Sequence, residues 1–140
     1  MSDRFFLDTN IFVYSFDKNG SKKADRAGKL IRRAIEAREG IVSYQVVQEF
    51  FNLALRRFAA PLSGAEAEQY LSTTFRPLLT VHSSHALYGQ ALQIAARHKL
   101  SWNDSLILAS AIEGQCAILY SEDFQHGQRF GDLRIENPFL

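Results

Sequence analysis

Asp8, Glu49, Asp104 and Asp123 are the residues of this chain whose types and positions best suit chemistry. Asp8 closes the apolar run Phe5-Phe6-Leu7, and Asp123 follows the run Ala117-Ile118-Leu119-Tyr120. In an open α/β sheet, ligands bind beyond the carboxyl ends of the strands. Carboxylates gathered there repel one another unless a cation holds them. The pattern therefore points to a divalent-metal site and to phosphate-ester chemistry. Hard oxygen ligands suit Mg²⁺ or Mn²⁺. His82, His85, His98 and His126 have no ligand spacing and read as surface or packing residues.

Each acid also has a plainer explanation. Asp8 is a favoured residue for capping a helix that starts beside it. Glu49 shares a seam with Gln45, Asn52 and Arg56, which a solvated helix face would also produce. Asp104 fits a capping box with Ser101. Yet the helix after it is apolar nearly all round, and a carboxylate on a buried face needs a hydrogen-bond partner or a cation. Asp123 suits a turn, and its neighbour Glu122 is a rival that strand alternation cannot eliminate in a loop. The joint placement of all four at one pole of one sheet is the stronger argument.

The elements that must position these acids alternate along the chain. Strands are expected over Arg4 to Asp8, Ile41 to Ser43, Leu78 to Val81, Cys116 to Tyr120 and Leu133 to Glu136. A short helix is expected over Thr9 to Phe16, and a loop over Asp17 to Gly20. From Ser21, Ala24, Ala27, Leu30, Ile31, Ala34 and Ile35 form a helical stripe, which Gly40 is expected to stop. Tyr44 to Phe58 reads as a mostly buried helix with one polar seam. A helix capped by Ser63 should end before Pro77. Further helices are expected over Ser84 to His98 and over Ser101 to Glu113, with Gly114 ending the second. Gly127 and Gly131 fall in loop. This order predicts an α/β domain with a mostly parallel central sheet of about five strands, flanked by helices on both faces.

Composition sets the bounds. A chain of 140 residues, 46% hydrophobic and 22% charged, suits one globular domain spanning 1–140. Its single cysteine, Cys116, lies in an apolar run and reads as core in a reducing cytoplasm. No signal peptide or membrane span is expected, because Asp8 and Asn10 break the N-terminal apolar run. The net charge of +1 conceals a segment from Ser21 to Gly40 with seven basic and three acidic residues. A basic body around an acidic point suits a polyanion that meets metal ions. Lys22, Lys23, Arg26, Arg32, Arg33 and Arg56 are the candidate contacts to the phosphates of such a polyanion, and a salt-bridged helix face is the alternative. Phe12, Tyr14, Phe16 and Phe51 could serve a protein partner or a homodimer, and core packing explains them equally well.

Four segments together resemble a known family. Leu7-Asp8-Thr9-Asn10, Gln48-Glu49-Phe50, Trp102-Asn103-Asp104-Ser105-Leu106-Ile107 and Leu119-Tyr120-Ser121-Glu122-Asp123-Phe124 are similar, in order and spacing, to the motifs of PIN-domain nucleases. Chain length and motif spacing resemble the VapC-type toxins of bacterial toxin–antitoxin pairs. The resemblance implies a Mg²⁺- or Mn²⁺-dependent endoribonuclease with a protein antitoxin as partner. It implies that Asp8, Glu49, Asp104 and Asp123 form the metal site, that the Ser121 hydroxyl assists it, and that Asp123 rather than Glu122 is the fourth acid. Asn10 would orient water or phosphate. A housekeeping RNA-processing nuclease, or a non-catalytic binding module of the same fold, would carry the same motifs.

Overall fold

The computed structural model describes residues 3–17 and 21–140. Of the loop expected over 17–20, only Asp17 falls among the described residues. Six strands form one sheet in the order β3-β2-β1-β4-β6-β5. They are β1 (Phe5–Leu7), β2 (Gly40–Ser43), β3 (Leu79–Val81), β4 (Ile118–Tyr120), β5 (Arg129–Phe130) and β6 (Leu133–Glu136). All neighbouring pairs are parallel except β5 with β6. The expected mostly parallel sheet is thus present, with one strand more than the expected five. The two-residue β5 is too short to show alternation, and its antiparallel pairing follows from the Gly131 turn, where φ is +61°.

The helices are α1 (Thr9–Tyr14), α2 (Lys22–Ala37), α3 (Tyr44–Ala54), α4 (Gly64–Tyr70), α5 (Arg76–Leu78), α6 (His85–His98) and α7 (Trp102–Glu113). Ser21, Ser63, Ser84 and Ser101 each accept a backbone N–H with the side chain and so start α2, α4, α6 and α7. Several boundaries differ from expectation; α1 ends at Tyr14 rather than Phe16, and β4 starts at Ile118 rather than Cys116. Gly40 does not stop α2; Arg38 takes the left-handed conformation instead, at φ 57°. Gly40 belongs to β2, where an added Cβ would lie 2.2 Å from Ala34 Cβ. Its role is to let α2 approach the sheet. The helix carrying Glu49 ends at Ala54 rather than Phe58. The helix begun by Ser63 widens into a π-helical turn over Leu71–Phe75 and then continues as α5 through Pro77. Proline in a first turn lacks only an N–H that would be unpaired anyway.

The core lies around the buried strand β1 and an aromatic cluster beside it. Phe50 is its centre, with ring centroids of Phe16, Phe51, Phe58, Tyr70 and Phe75 within 5.0 to 5.9 Å. Phe12 is fully buried against Phe75, and Phe16 and Phe51 join the same cluster. These aromatics, open to either role from sequence, are packing residues here.

The chain leaves β1 for β2 and β3 on one side, then crosses to β4 and β6 on the other. The order therefore reverses between β1 and β4, where a doubly wound sheet opens a crevice at its carboxyl pole. Leu7 pairs with Tyr120 in the register of these strands, so Asp8 and Ser121 follow at the mouth of that crevice.

Candidate active site

Asp8 is the first residue past β1 and the N-cap of α1. It is 5% exposed. One carboxylate oxygen, Oδ1, accepts the Thr9 N–H at 2.7 Å. The other, Oδ2, accepts the Ser121 hydroxyl at 2.7 Å. Ser121 stands at the end of β4, itself 1% exposed, and its Oγ also accepts the Asp123 N–H at 3.1 Å. One hydroxyl therefore locks the ends of the two central strands together.

Glu49 reaches the same pole from α3. Its Oε1 accepts the Thr9 hydroxyl at 2.7 Å, which ties α3 to the β1–α1 junction. Asn10 Nδ2 donates to Asp123 Oδ1 at 3.5 Å. Asp104 sits in the first turn of α7, its N–H donating to Ser101 Oγ at 3.1 Å.

The charges of these acids act on one another. Burial pushes the Asp8 carboxyl up to about 7, the hydrogen bonds from Ser121 and Thr9 oppose this, and Asp123 and Glu49 push it further up. Asp123 is also raised, chiefly by burial and then by Asp104 and Glu122. Among the described residues, none of the four acids is in a salt bridge. Asp8 thus feels Asp123 and Glu49, and Asp123 feels Asp104.

Glu122 points elsewhere. It accepts a short hydrogen bond from the Tyr14 hydroxyl and pairs with Lys23 at 3.1 Å. Lys23 lies over the Tyr14 ring at 4.6 Å, so Glu122 belongs to a clamp between α1 and α2.

A divalent cation fits the donor set. The side chains are all oxygen donors and carry like charge, and burial disfavours the charged form of Asp8. Among the described residues, no group of three or more His, Cys, Asp or Glu side chains is close enough to ligate one ion as it stands. The hydroxyls of Ser121 and Thr9 and the Asn10 amide occupy oxygens of Asp8, Glu49 and Asp123 respectively.

The basic residues do not form one surface. Lys23 is committed to Glu122, and Arg26 donates to the backbone carbonyls of Pro138 and Leu140 at 2.8 and 2.9 Å. Arg33 lies over the Phe5 ring at 4.7 Å and reaches the Tyr120 hydroxyl. Lys22 and Arg32 are exposed on α2. Arg56 lies just past α3, in an open groove of about 520 Å³ with Gln48, Glu49, Phe51, Asn52 and Leu55. Of the seam expected on this helix, Gln45 is buried and the rest borders that groove.

Two polar residues escaped the sequence reading. Thr9 was visible only as a hydroxyl next to Asp8, and its partner lies 40 positions away. Gln45 was assigned to the polar seam, yet its amide donates to the Asn103 carbonyl at 3.1 Å.

A family model described as the PIN domain matches residues 5–129. Among solved structures, a chain of a toxin–antitoxin complex from Klebsiella pneumoniae is 18% identical with a TM-score of 0.66, covering 95% of this chain and 96% of that one. VapC20 of Mycobacterium tuberculosis, described as a sarcin–ricin loop cleaving toxin, is 24% identical with a TM-score of 0.63, covering 93% and 98%. A chain of VapBC2 from Rickettsia felis, solved with a DNA fragment from its promoter, is 19% identical with a TM-score of 0.61, covering 94% and 96%. This chain shares their fold. No curated protein matches it in sequence.

Proposed function

The chain belongs to the PIN-domain family, and on that premise we propose that it is a Mg²⁺- or Mn²⁺-dependent endoribonuclease, the toxin of a toxin–antitoxin pair. The observation that carries this reading is the mutual electrostatic effect of Asp8, Glu49, Asp104 and Asp123, with Asp8 raised to about 7 and none of the four in a salt bridge among the described residues. The solved structures it resembles support the toxin assignment, since one is a toxin–antitoxin complex and another is described as a cleaving toxin. A protein antitoxin is accordingly the expected partner.

Asp8 is the best shared ligand, because strand β1 and two hydrogen bonds fix its position. Glu49 and Asp104 would hold a cation with it, and Asp123 would complete the site. When bound, the cation supplies Lewis acidity toward water and phosphoryl oxygens. Ser121 and the Thr9 N–H hold the Asp8 carboxylate in one orientation, and Thr9 does the same for Glu49. Asn10, beside Asp123, orients water or phosphate. Arg56 and the exposed Lys22 and Arg32 meet RNA phosphates, contacts that confer affinity without sequence choice.

Burial raises the Cys116 thiol to about 12, which suits a core residue rather than a reactive one. Among the described residues, no helix is long and apolar enough to cross a membrane.

The test is induced expression in a bacterial host. Wild type should arrest growth, and Asp104→Ala, produced at the same level, should relieve the arrest. Equal arrest by both would contradict a toxin that acts through this site.

A further inference from the structure

Gln45 has no task in the mechanism above, yet it is 5% exposed and lies one turn before Glu49 on α3. Its Nε2 donates to the backbone carbonyl of Asn103, 58 positions later and next to Asp104. One hydrogen bond thus joins the start of the helix that carries Glu49 to the first turn of the helix that carries Asp104. The Ser101 side chain caps that turn from the N-cap of α7, and the Gln45 amide ties it to α3.

The surroundings of this tie are unusual for a core. Gln45 Oε1, Ser43 Oγ and Ser105 Oγ are buried and have no hydrogen-bond partner among the described residues. Ser43 ends β2 immediately before α3, and its side chain makes no capping bond. Ser105 directly follows Asp104. An unpaired buried oxygen costs about 1–3 kcal/mol. A corner serving stability alone would carry apolar side chains of similar size. Polar side chains kept at this cost, on both helices that deliver acids, suggest a joint whose geometry matters more than its stability.

We propose that Gln45 is a positioning residue: its hydrogen bond to Asn103 sets the separation of Glu49 and Asp104, and through it the affinity of the acidic site for a divalent cation. The inference rests on the metal-dependent reading above, and its test separates the two. Gln45→Met keeps the length and apolar packing and removes the donor. Gln45→Asn, with a shorter amide, serves as a second variant if the first fails to fold. Mn²⁺ binding is measured by calorimetry on the purified proteins, thermal unfolding without metal reports the fold, and steady-state RNA hydrolysis separates kcat from KM.

Metal-free Tm should stay within a few degrees of wild type, while the Kd for Mn²⁺ rises about tenfold, as when the partner that orients a ligand is lost. The value of kcat should fall while KM for RNA changes less than about twofold. In an Asp104→Asn background, adding Gln45→Met should weaken Mn²⁺ binding by less than about twofold, because the two changes act through one ligand. A lowered Tm with unchanged Mn²⁺ affinity, or losses that add in full in the double variant, would overturn the positioning role. If wild type binds Mn²⁺ and Gln45→Met binds it equally well, this inference fails alone. If wild type binds no Mn²⁺, the metal reading fails and takes the inference with it.

Discussion

Asp8 owes its chemistry to its surroundings more than to its own carboxyl group. Burial and the neighbouring acids raise it from 3.8 to about 7. Between those values the folded protein holds a proton that the unfolded chain has lost. The stability from this group is therefore full below about pH 3.8 and is lost as pH rises through about 7. Without divalent metal, the Tm of wild type relative to Asp8→Asn should fall steadily from pH 4 to 7, and Mn²⁺ should restore it at pH 8. Parallel Tm profiles would show that Asp8 does not carry this charge. The fourth acid is separable in the same way. Asp123→Asn should lower Mn²⁺ affinity about tenfold or more, whereas Glu122→Gln, which loosens the exposed Lys23 pair, should leave it within about twofold. The reverse order in calorimetry would reassign the ligand. The sequence could nominate the acids because each closes a strand, opens a helix or lines a narrow polar seam. Strand alternation could not choose between Glu122 and Asp123, and the contacts that engage Glu122, to Lys23 and Tyr14, come from about a hundred positions away. Thr9 and Gln45 were hidden for the same reason.

At the scale of elements, α3 and the β1–α1 junction deliver the site, and the aromatic cluster holds them in place. Phe50 lies next to Glu49 in sequence and at the centre of that cluster. Phe50→Ala should cost about 3–5 kcal/mol in chemical denaturation. A loss under 1 kcal/mol would mean that the cluster does not anchor α3. Gly40→Ala tests a different contact, the approach of α2 to β2. The added methyl meets Ala34, so destabilisation of about 1–3 kcal/mol is expected rather than the gain a strand glycine often allows. Long periodic elements were legible from sequence: α2, α6 and α7 lie within a residue or two of expectation at most ends. Short elements and helix ends were not. The pair β5 and β6 depends on a two-residue strand, and α2 ends on an arginine in a conformation that glycine was expected to supply.

Across the whole molecule, a +5 body surrounds four acids, but the fold divides that charge. Several cations of the basic run close contacts within the protein, which the count of lysines and arginines could not reveal. Arg32 remains exposed on α2. Arg32→Glu should weaken RNA binding and lower the slope of log affinity against log salt by about 1. An unchanged slope would return α2 to a solvated face. The parallel sheet and its switch point were readable from the alternation of strands and helices, and the order of the strands explains why distant acids meet. The most direct test of that meeting is incubation of wild type and Asp8→Asn with total cellular RNA, with and without Mg²⁺, followed by mapping of the new ends. Cuts at defined positions, made only by wild type and only with Mg²⁺, are the predicted result. Cutting by Asp8→Asn at the wild-type rate, or by wild type in a chelator, would contradict a metal-dependent nuclease built on these four acids.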